Sequence, residues 1–392
     1  MTAPREWPPG RPRILATDAW LANAGDAAIA LACERMIREL APTASVLHAS
    51  YQHDRIGPRL PDLACVPPLE DLLGTPWAAP VAGWEDAGAR LVAGADLILC
   101  QGGGFLVEAY GPQARLAALA DVVRRGRPLA LVGLTVGHFT RATSRRDLYT
   151  VLAGADLIIV RDPASLARAA DSGGADAVLG TDLAVGLFAD QPSPHERDGI
   201  GVVLTDHDPD AAGRRERAEL AAFVLREVID ATDHEPVTVW STVQGEPELA
   251  REDDSVVATD AAAALPNADR ARVRHEQGYV TPERAISLAE ACRALITMRM
   301  HPALFAAGSD TPFALVLGGQ RAGVFSGSCL ADRVAPPMDR AAVVTAIRAA
   351  LASTAPAPTW RDLAPLRARL ADTRARLGDL IGRVAAQPPG QI

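Results

Sequence analysis

"WEDAGARLVAGADLILC", Trp84 to Cys100, decides the fold: a stretch with helical apolar spacing closes on a glycine and opens, two residues later, into a short apolar run. Apolar spacing of three and four followed by a continuous β-branched and leucine run is helix, turn and buried strand. Its centre, "AGADLI", stands at Ala93 to Ile98 and again at Ala153 to Ile158, where "RRDLYTVLAG" leads into "ADLIIV". A third copy without the glycine, "LAEACRALITM", lies in the second half of the chain. Such short similarity is the grammar of parallel βαβ units more readily than the trace of a duplication.

Outward from there the alternation continues. "RILAT" (13 to 17), "ASVLHAS" (44 to 50), "PLALVGL" (128 to 134) and "ADLIIV" (155 to 160) read as strands, with "GDAAIALACERMIREL" (25 to 40) and "GPQARLAALADVVRRG" as helices. Helix and strand in strict turn mean a parallel sheet. The stretch "FADQPSPHERDG" (188 to 199) is polar, carries two prolines and has no periodicity, so it reads as a linker. After it the pattern restarts with "IGVVLTD", "RRERAELAAFVLREVID", "PVTVWS", "PERAISLAEACR", "ALITM", "PFALVLG" and "DRAAVVTAIRAALAS". The expected organisation is a Rossmann-like domain over residues 1–190, a second over 199–355, and a helix and tail over 356–392. In the tail, Leu363, Leu366, Leu370, Leu377, Leu380 and Val384 mark one face, with Thr373 interrupting it. Packing back across a domain is favoured over dimerisation, and a homo-oligomer stays open.

Bulk properties narrow the function. The 392 residues are 48% apolar and 22% charged, which is globular, and long enough for two cores. A net charge of -9 and 4% aromatics speak against a nucleic-acid partner. The five cysteines are scattered, without metal-knuckle or disulfide spacing. The N-terminus lacks an apolar leader and no apolar run reaches the roughly 20 residues of a membrane span. The expectation is a soluble, cytoplasmic, unprocessed chain with free thiols.

In an open parallel sheet ligands gather beyond the carboxyl ends of the strands. The loops there carry Asn23 and Asp26; Gln101, Gly102, Gly103 and Gly104; Thr135 and His138; Arg161 and Asp162; and Arg299 and His301. "CQGGGFL" sets three glycines between a strand and an expected helix start, either as backbone amides aimed at an anion or as a tight turn. It has neither the Lys-Ser/Thr of a P-loop nor the dinucleotide spacing. Asp162 before Pro163 reads as a helix cap, whereas Arg161 either pairs with Asp182 or faces a ligand. Asp26 reads as a cap and Asn23 as an Asx turn, each with a ligand-facing alternative. In "TMRMHPALFAA", Arg299 and His301 are two apart and on an extended backbone share one side; a fixed cation beside a group that titrates near neutrality suits anion binding with proton transfer. The structural alternative is a turn-capping histidine beside an ion-paired arginine.

"NAGDAAI", "QGGGFL", "VRDPASL…VLGTDLA" and "MRMHPALFAAGSDTP" occur in the order and rough spacing found in the polysaccharide pyruvyl transferase family, which the chain resembles over about residues 14 to 320. The resemblance implies two Rossmann-like doubly wound domains facing a cleft, similar to the B-type glycosyltransferase fold. It implies phosphoenolpyruvate as donor substrate, no cofactor or metal, and a sugar-containing or other polyhydroxylated acceptor that receives a pyruvate ketal; peripheral contact with a lipid-linked acceptor is left open. By the same resemblance Arg161, Arg299 and His301 are the donor-binding and catalytic set, helped by amides of Gly102, Gly103 and Gly104. His301 is the proton donor to the donor's methylene, and Asp26 or His138 takes the hydroxyl proton, with Asn23 beside the substrate. The chain departs from the family after "PFALVLG", where "GGQRAGVFSGSCLADR" replaces a Tyr/Asp-rich turn and lysine, so the acceptor is open. The alternatives are a nucleotide-sugar glycosyltransferase of the same fold, for which Glu246, Glu248 and Asp253 would have to grip a ribose, and a non-catalytic descendant.

Overall fold

The computed structural model describes residues 6–75, 81, 84–188, 197–205, 214–244, 253–318, 320–326, 328–353 and 363–387. The chain divides into two compact units: Met1–Leu21 with Asp26–Gly186 and Leu366–Ile392, and Ala22–Gly25 with Leu187–Pro365.

The first unit is a parallel sheet with strands β1 (Arg13–Trp20), β2 (Ser45–Tyr51), β3 (Cys65–Val66), β4 (Leu97–Cys100), β5 (Gly103–Leu106), β6 (Leu129–Val136), β7 (Leu157–Val160) and β8 (Val178–Leu179). Their order is β3-β2-β1-β4-β6-β7-β8, with β5 pairing β6. Helices α1 (Ala24–Leu40), α2 (Leu69–Leu72), α3 (Glu85–Gly94), α4 (Gln113–Arg124), α5 (Ala142–Gly154) and α6 (Pro163–Asp171) supply the crossovers. Ile14, Leu15, Leu97, Ile98, Leu129, Leu131 and Val160 are all fully buried, which is why the central strands read as unbroken apolar runs.

The repeated "AGADLI" performs one task twice. Asp96 accepts from the Arg13 amide at 2.8 Å and Asp156 accepts from the Leu129 amide at 2.9 Å, so each carboxylate fastens the first residue of the neighbouring strand. The backbone closes the same ring from the other side, Asp96 N to Arg13 O and Asp156 N to Leu129 O, both 2.8 Å. The third copy has Arg293 in place of the aspartate, and that arginine instead forks onto Glu235 with two 2.6 Å bonds.

The second unit contains β9 (Ile200–Val203), α7 (Arg214–Asp230), β10 (Val237–Val239), α8 (Asp254–Ala263), α9 (Asn267–Arg270), β11 (Val273–His275), α10 (Pro282–Ala291), β12 (Ala294–Thr297), α11 (Met300–Gly308), β13 (Phe313–Val316), β14 (Val334–Ala335) and α12 (Arg340–Ala352). Its strand order, β11-β10-β9-β12-β13-β14, is parallel throughout and reverses between β9 and β12. That reversal is the crevice-forming switch point of a doubly wound sheet, and Arg299 follows β12 directly.

The last helix, α13 (Ala364–Ala385), packs on the first unit through Leu366, Leu377, Leu380, Ile381 and Val384, and Arg374 pairs with Glu39 of α1 at 2.6 Å. Thr373, which breaks the leucine pattern, is 1% exposed; its Oγ1 donates to Arg369 O and lies 2.9 Å from where a Cβ on Gly180 would be. A small residue is what close approach to the β8 end requires there. Cys33, Cys65, Cys100 and Cys292 are free and buried. Among the described residues no helix is long and apolar enough to cross a membrane.

Candidate active site

In the second unit, β12 ends at Thr297 and the chain stays extended at Arg299 (φ -117, ψ 140) before α11 begins at Met300. Here the structure differs from the expectation of an extended Arg-x-His pair, because His301 lies in the first turn of α11. The helix starts ahead of Pro302 without cost, since first-turn amides have no intrahelical carbonyl to bond. Thr297 Oγ1 accepts from the Arg299 amide at 2.9 Å and fixes the turn.

Asp254, at the start of α8 and 1% exposed, organises this corner. Arg299 forks onto it, Nη2 to Oδ1 at 2.6 Å and Nε to Oδ2 at 3.1 Å. The same Oδ2 accepts from the Val243 amide at 3.2 Å and the Thr242 hydroxyl at 3.4 Å. Four donors converge on one carboxylate, which compensates its burial. Among the described residues Nη1 of Arg299 is left uncommitted.

The Thr242–Gln244 segment in turn holds Ala22–Ala24: Ala24 N donates to Thr242 O at 2.7 Å, Gln244 N to Ala22 O at 3.1 Å, and Asn23 bridges Val243. Asn23 Oδ1 accepts from the Gly25 amide at 2.9 Å. Asn23 thus makes the expected Asx turn and stands where a cap stands, which leaves Asp26 inside the first turn of α1 and corrects its reading as the cap. Gly25 lies against His301: a Cβ at residue 25 would fall 2.0 Å from Nδ1 and 2.4 Å from Cγ of the imidazole. The glycine of "NAGDAAI" is therefore the surface on which the His301 ring rests. That ring is 9% exposed, with the Phe305 ring 6.4 Å away.

In the first unit Arg161 is 3% exposed and spends two nitrogens on structure, Nη1 on Asp182 at 2.6 Å and Nε on the Thr135 hydroxyl at 2.8 Å. The ion pair with Asp182 is present, and Nη2 points to Gly104, 3.8 Å from where its Cβ would be. Asp162 caps α6, Oδ1 accepting from the Ser165 amide at 2.8 Å and Oδ2 from its hydroxyl at 2.6 Å.

The triple glycine does not start a helix. Gly102 and Gly103 take φ of +94 and +95, and the chain swings into β5 beside β6, with α4 beginning only at Gln113. A Cβ on Gly102 would meet Gly133 O at 2.9 Å, so the glycines serve close approach to the neighbouring strand. Gly103 sits near Asp26, whose Oδ1 would be 3.5 Å from a Cβ there. His138 is exposed in the loop after β6. Asp253 caps α8 by accepting from the Ser255 amide at 2.8 Å; Glu246 and Glu248 lie outside the described residues. Among the described residues no cluster of three or more His, Cys, Asp or Glu side chains could hold a metal ion.

Asp254 escaped the sequence reading, which placed Gly25 at the ligand edge of the sheet but did not foresee its contact with His301. Asp254 sits in an acidic run that hid the start of α8, 45 residues from its arginine; only "DDS" ahead of a small apolar run signals a helix cap.

Solved structures with the same architecture include Anabaena Alr3699/HepE in complex with UDP and glucose, at 13% identity and TM-score 0.59 over 95% of this chain and 100% of that one. S. aureus MnaA with UDP follows at 11% and 0.58 over 90% and 91%. The UDP-GlcNAc 2-epimerase of Neisseria meningitidis bound to UDP-GlcNAc gives 9% and 0.51 over 92% and 100%. At such identities the likeness establishes the fold, that of the B-type glycosyltransferases. No curated protein matches the chain. The family description "Polysaccharide pyruvyl transferase" matches residues 23–318, a span that takes in Gly25, Arg161, Asp254, Arg299 and His301. The chain belongs to the polysaccharide pyruvyl transferase family.

Proposed function

We propose that the chain moves the pyruvate unit of phosphoenolpyruvate onto two hydroxyls of a sugar-containing acceptor, forming a pyruvate ketal and releasing phosphate. The observation that carries this reading is the start of α11, where a half-committed guanidinium and an imidazole stand two residues apart at a helix N-terminus, in a chain of this family. Helix N-termini and arginine forks favour phosphate and carboxylate.

In the proposed reaction Arg299 Nη1 and the first-turn amides of α11 hold the anionic end of the donor. His301 gives a proton to C3, the double-bond electrons go to the new C–H bond, and C2 becomes an oxocarbenium centre. An acceptor hydroxyl adds to C2 and its proton returns to the imidazole. A second hydroxyl then replaces phosphate at C2, and its proton leaves with the phosphate. One hydroxyl proton thus ends, in the balance, on the methyl group and the other on phosphate. The residue that assists the hydroxyl is assigned to Asp26 or His138. The setting proposed for this chemistry is the cytoplasm, with no resident cofactor.

Thermal shift separates this from the nucleotide-sugar alternative, because a ligand that binds only the folded state raises the melting temperature by mass action. Millimolar phosphoenolpyruvate is expected to raise it, and UDP or UDP-sugars at equal concentration to leave it unchanged. A rise with UDP-sugars and none with phosphoenolpyruvate overturns the proposal.

A further inference from the structure

Arg124, Arg125 and Arg127, which the proposed chemistry leaves unused, belong to a wider asymmetry. Between Val122 and Ala155 the chain has six arginines and one acidic residue, Asp147. That local excess of five positive charges stands in a chain whose net charge is -9.

The fold gathers most of these arginines on one surface of the first unit. Helix α5 buries Ser144, Asp147, Leu148, Val151 and Leu152. Arg145, Arg146 and Tyr149 are left outward, and at spacings of three and four they share one helix face. The Arg146 side chain is 73% exposed and Tyr149 59%. The end of α4 lies beside that face: a Cβ on Gly154, the last residue of α5, would fall 2.3 Å from Val123 Cγ1. Arg124 Nη2 reaches Asp147 at 3.3 Å, and Arg146 Nε approaches the same carboxylate at 3.7 Å. One aspartate thus serves two guanidinium groups. Arg125 pairs with Asp121 at 2.7 Å, whereas Arg127 and Arg145 have no ion pair among the described residues. Tyr149 is held along one edge, since a Cβ on Gly173 would lie 3.0 Å from its Cδ2.

The arginines are exposed and spread over two helices without converging on a point, so they suit an extended polyanion and not a single small anion. A bilayer with anionic headgroups answers both features of the surface. Its potential attracts clustered arginines, about fivefold in affinity for each, and its headgroup layer is where a ring with an apolar body and a polar tip settles. Duplex nucleic acid would engage the arginines through its phosphates but gives Tyr149 no apolar layer to enter.

We infer that the outer face of α5, with the end of α4, rests on an anionic phospholipid surface. Arg124, Arg125, Arg127, Arg145 and Arg146 meet the headgroup phosphates and Tyr149 enters the headgroup layer. The attachment lies on the membrane, because among the described residues no helix is long and apolar enough to cross one. It stands independently of the reaction proposed above.

The test is sedimentation of the full chain with two kinds of vesicle, phosphatidylcholine alone and phosphatidylcholine with about a third phosphatidylglycerol. Wild type should bind the anionic vesicles and leave the neutral ones unbound. Binding should fall as salt rises from about 0.1 to about 1 M and the Debye length shrinks from about 10 to about 3 Å. Arg145→Gln with Arg146→Gln should weaken it about 25-fold, about fivefold for each charge, and Tyr149→Ala at least about threefold. Arg215→Gln on α7, whose side chain is 91% exposed, removes a surface charge elsewhere and should bind as wild type does. Circular dichroism checks that every variant is folded. The inference is overturned by absent binding to anionic vesicles, by equal binding to both kinds, or by unchanged binding in the double arginine variant or in Tyr149→Ala. A duplex oligonucleotide that displaces the chain from anionic vesicles at equal phosphate concentration overturns it as well.

Discussion

Gly25→Ala perturbs the His301 imidazole through a single methyl group. The added carbon would fall 2.0 Å from Nδ1, 2.4 Å from Cγ and 2.7 Å from Cε1, whereas ordinary contact begins at 3.4 Å. The ring or the start of α1 must then give way by about 1.4 Å, the difference between 3.4 and 2.0 Å. Overpacking of this kind costs about 1–3 kcal/mol, and replacing a helical glycine by alanine returns about 1 kcal/mol. The net loss of about 0–2 kcal/mol is small against a typical stability of about 5–15 kcal/mol, so the variant folds. Catalysis is more sensitive, because misplacing a reacting group by about 1 Å costs about 100-fold. Urea unfolding gives the stability, and phosphate release with an acceptor turned over by wild type gives kcat/KM. Gly382→Ala on α13, where a Cβ meets nothing within 4 Å, is the control and should stay active. A folded Gly25→Ala with wild-type kcat/KM refutes the placement of His301 in the reaction.

Asp254→Asn removes the partner of a largely buried guanidinium, 11% exposed, and should destabilise the fold by about 3 kcal/mol while raising the phosphoenolpyruvate KM at least tenfold; calorimetry and steady-state kinetics read both, and an unchanged KM removes Arg299 from donor binding. Arg299→Lys should behave similarly in KM, because an ammonium cannot fork onto Asp254 and still offer a second nitrogen. The Glu108 carboxyl is held down to about 2 by the Thr140 hydroxyl and the Arg141 and Thr140 amides. A carboxyl depressed in the folded state stabilises above its unfolded value and loses that contribution as pH falls through the folded value. Denaturation midpoints of wild type and Glu108→Gln should therefore converge between pH 4.5 and about 2; parallel curves across that window contradict the assignment.

How much of this was legible follows from distance along the chain. Strands buried on both faces announce themselves, so β1, β4, β6 and β7 and their parallel sheet were legible in "RILAT", "ADLILC", "PLALVGL" and "ADLIIV", whereas their order in the sheet was not. Two-residue strands such as β3, β8 and β14 are too short to carry a pattern, and β5 was hidden because "GGGFL" reads as a turn. Asp162 was recognisable as a cap because its partner is three residues away. The Asp254–Arg299 fork and the seat of His301 on Gly25 are long-range facts. Nothing local pairs an aspartate in an acidic run with an arginine after β12, nor says that the glycine of "NAGDAAI" must yield room to an imidazole on α11.

The proton transfer itself is tested most directly by His301→Ala, with donor affinity measured by calorimetry alongside the rate of ketal formation in deuterated water. General acid catalysis of this kind contributes about 100- to 10,000-fold. Wild type should deliver solvent deuterium to the product methyl group, and the variant should bind phosphoenolpyruvate within threefold of wild type yet form ketal at least 100-fold more slowly. A His301→Ala protein that forms ketal within tenfold of the wild-type rate contradicts the account.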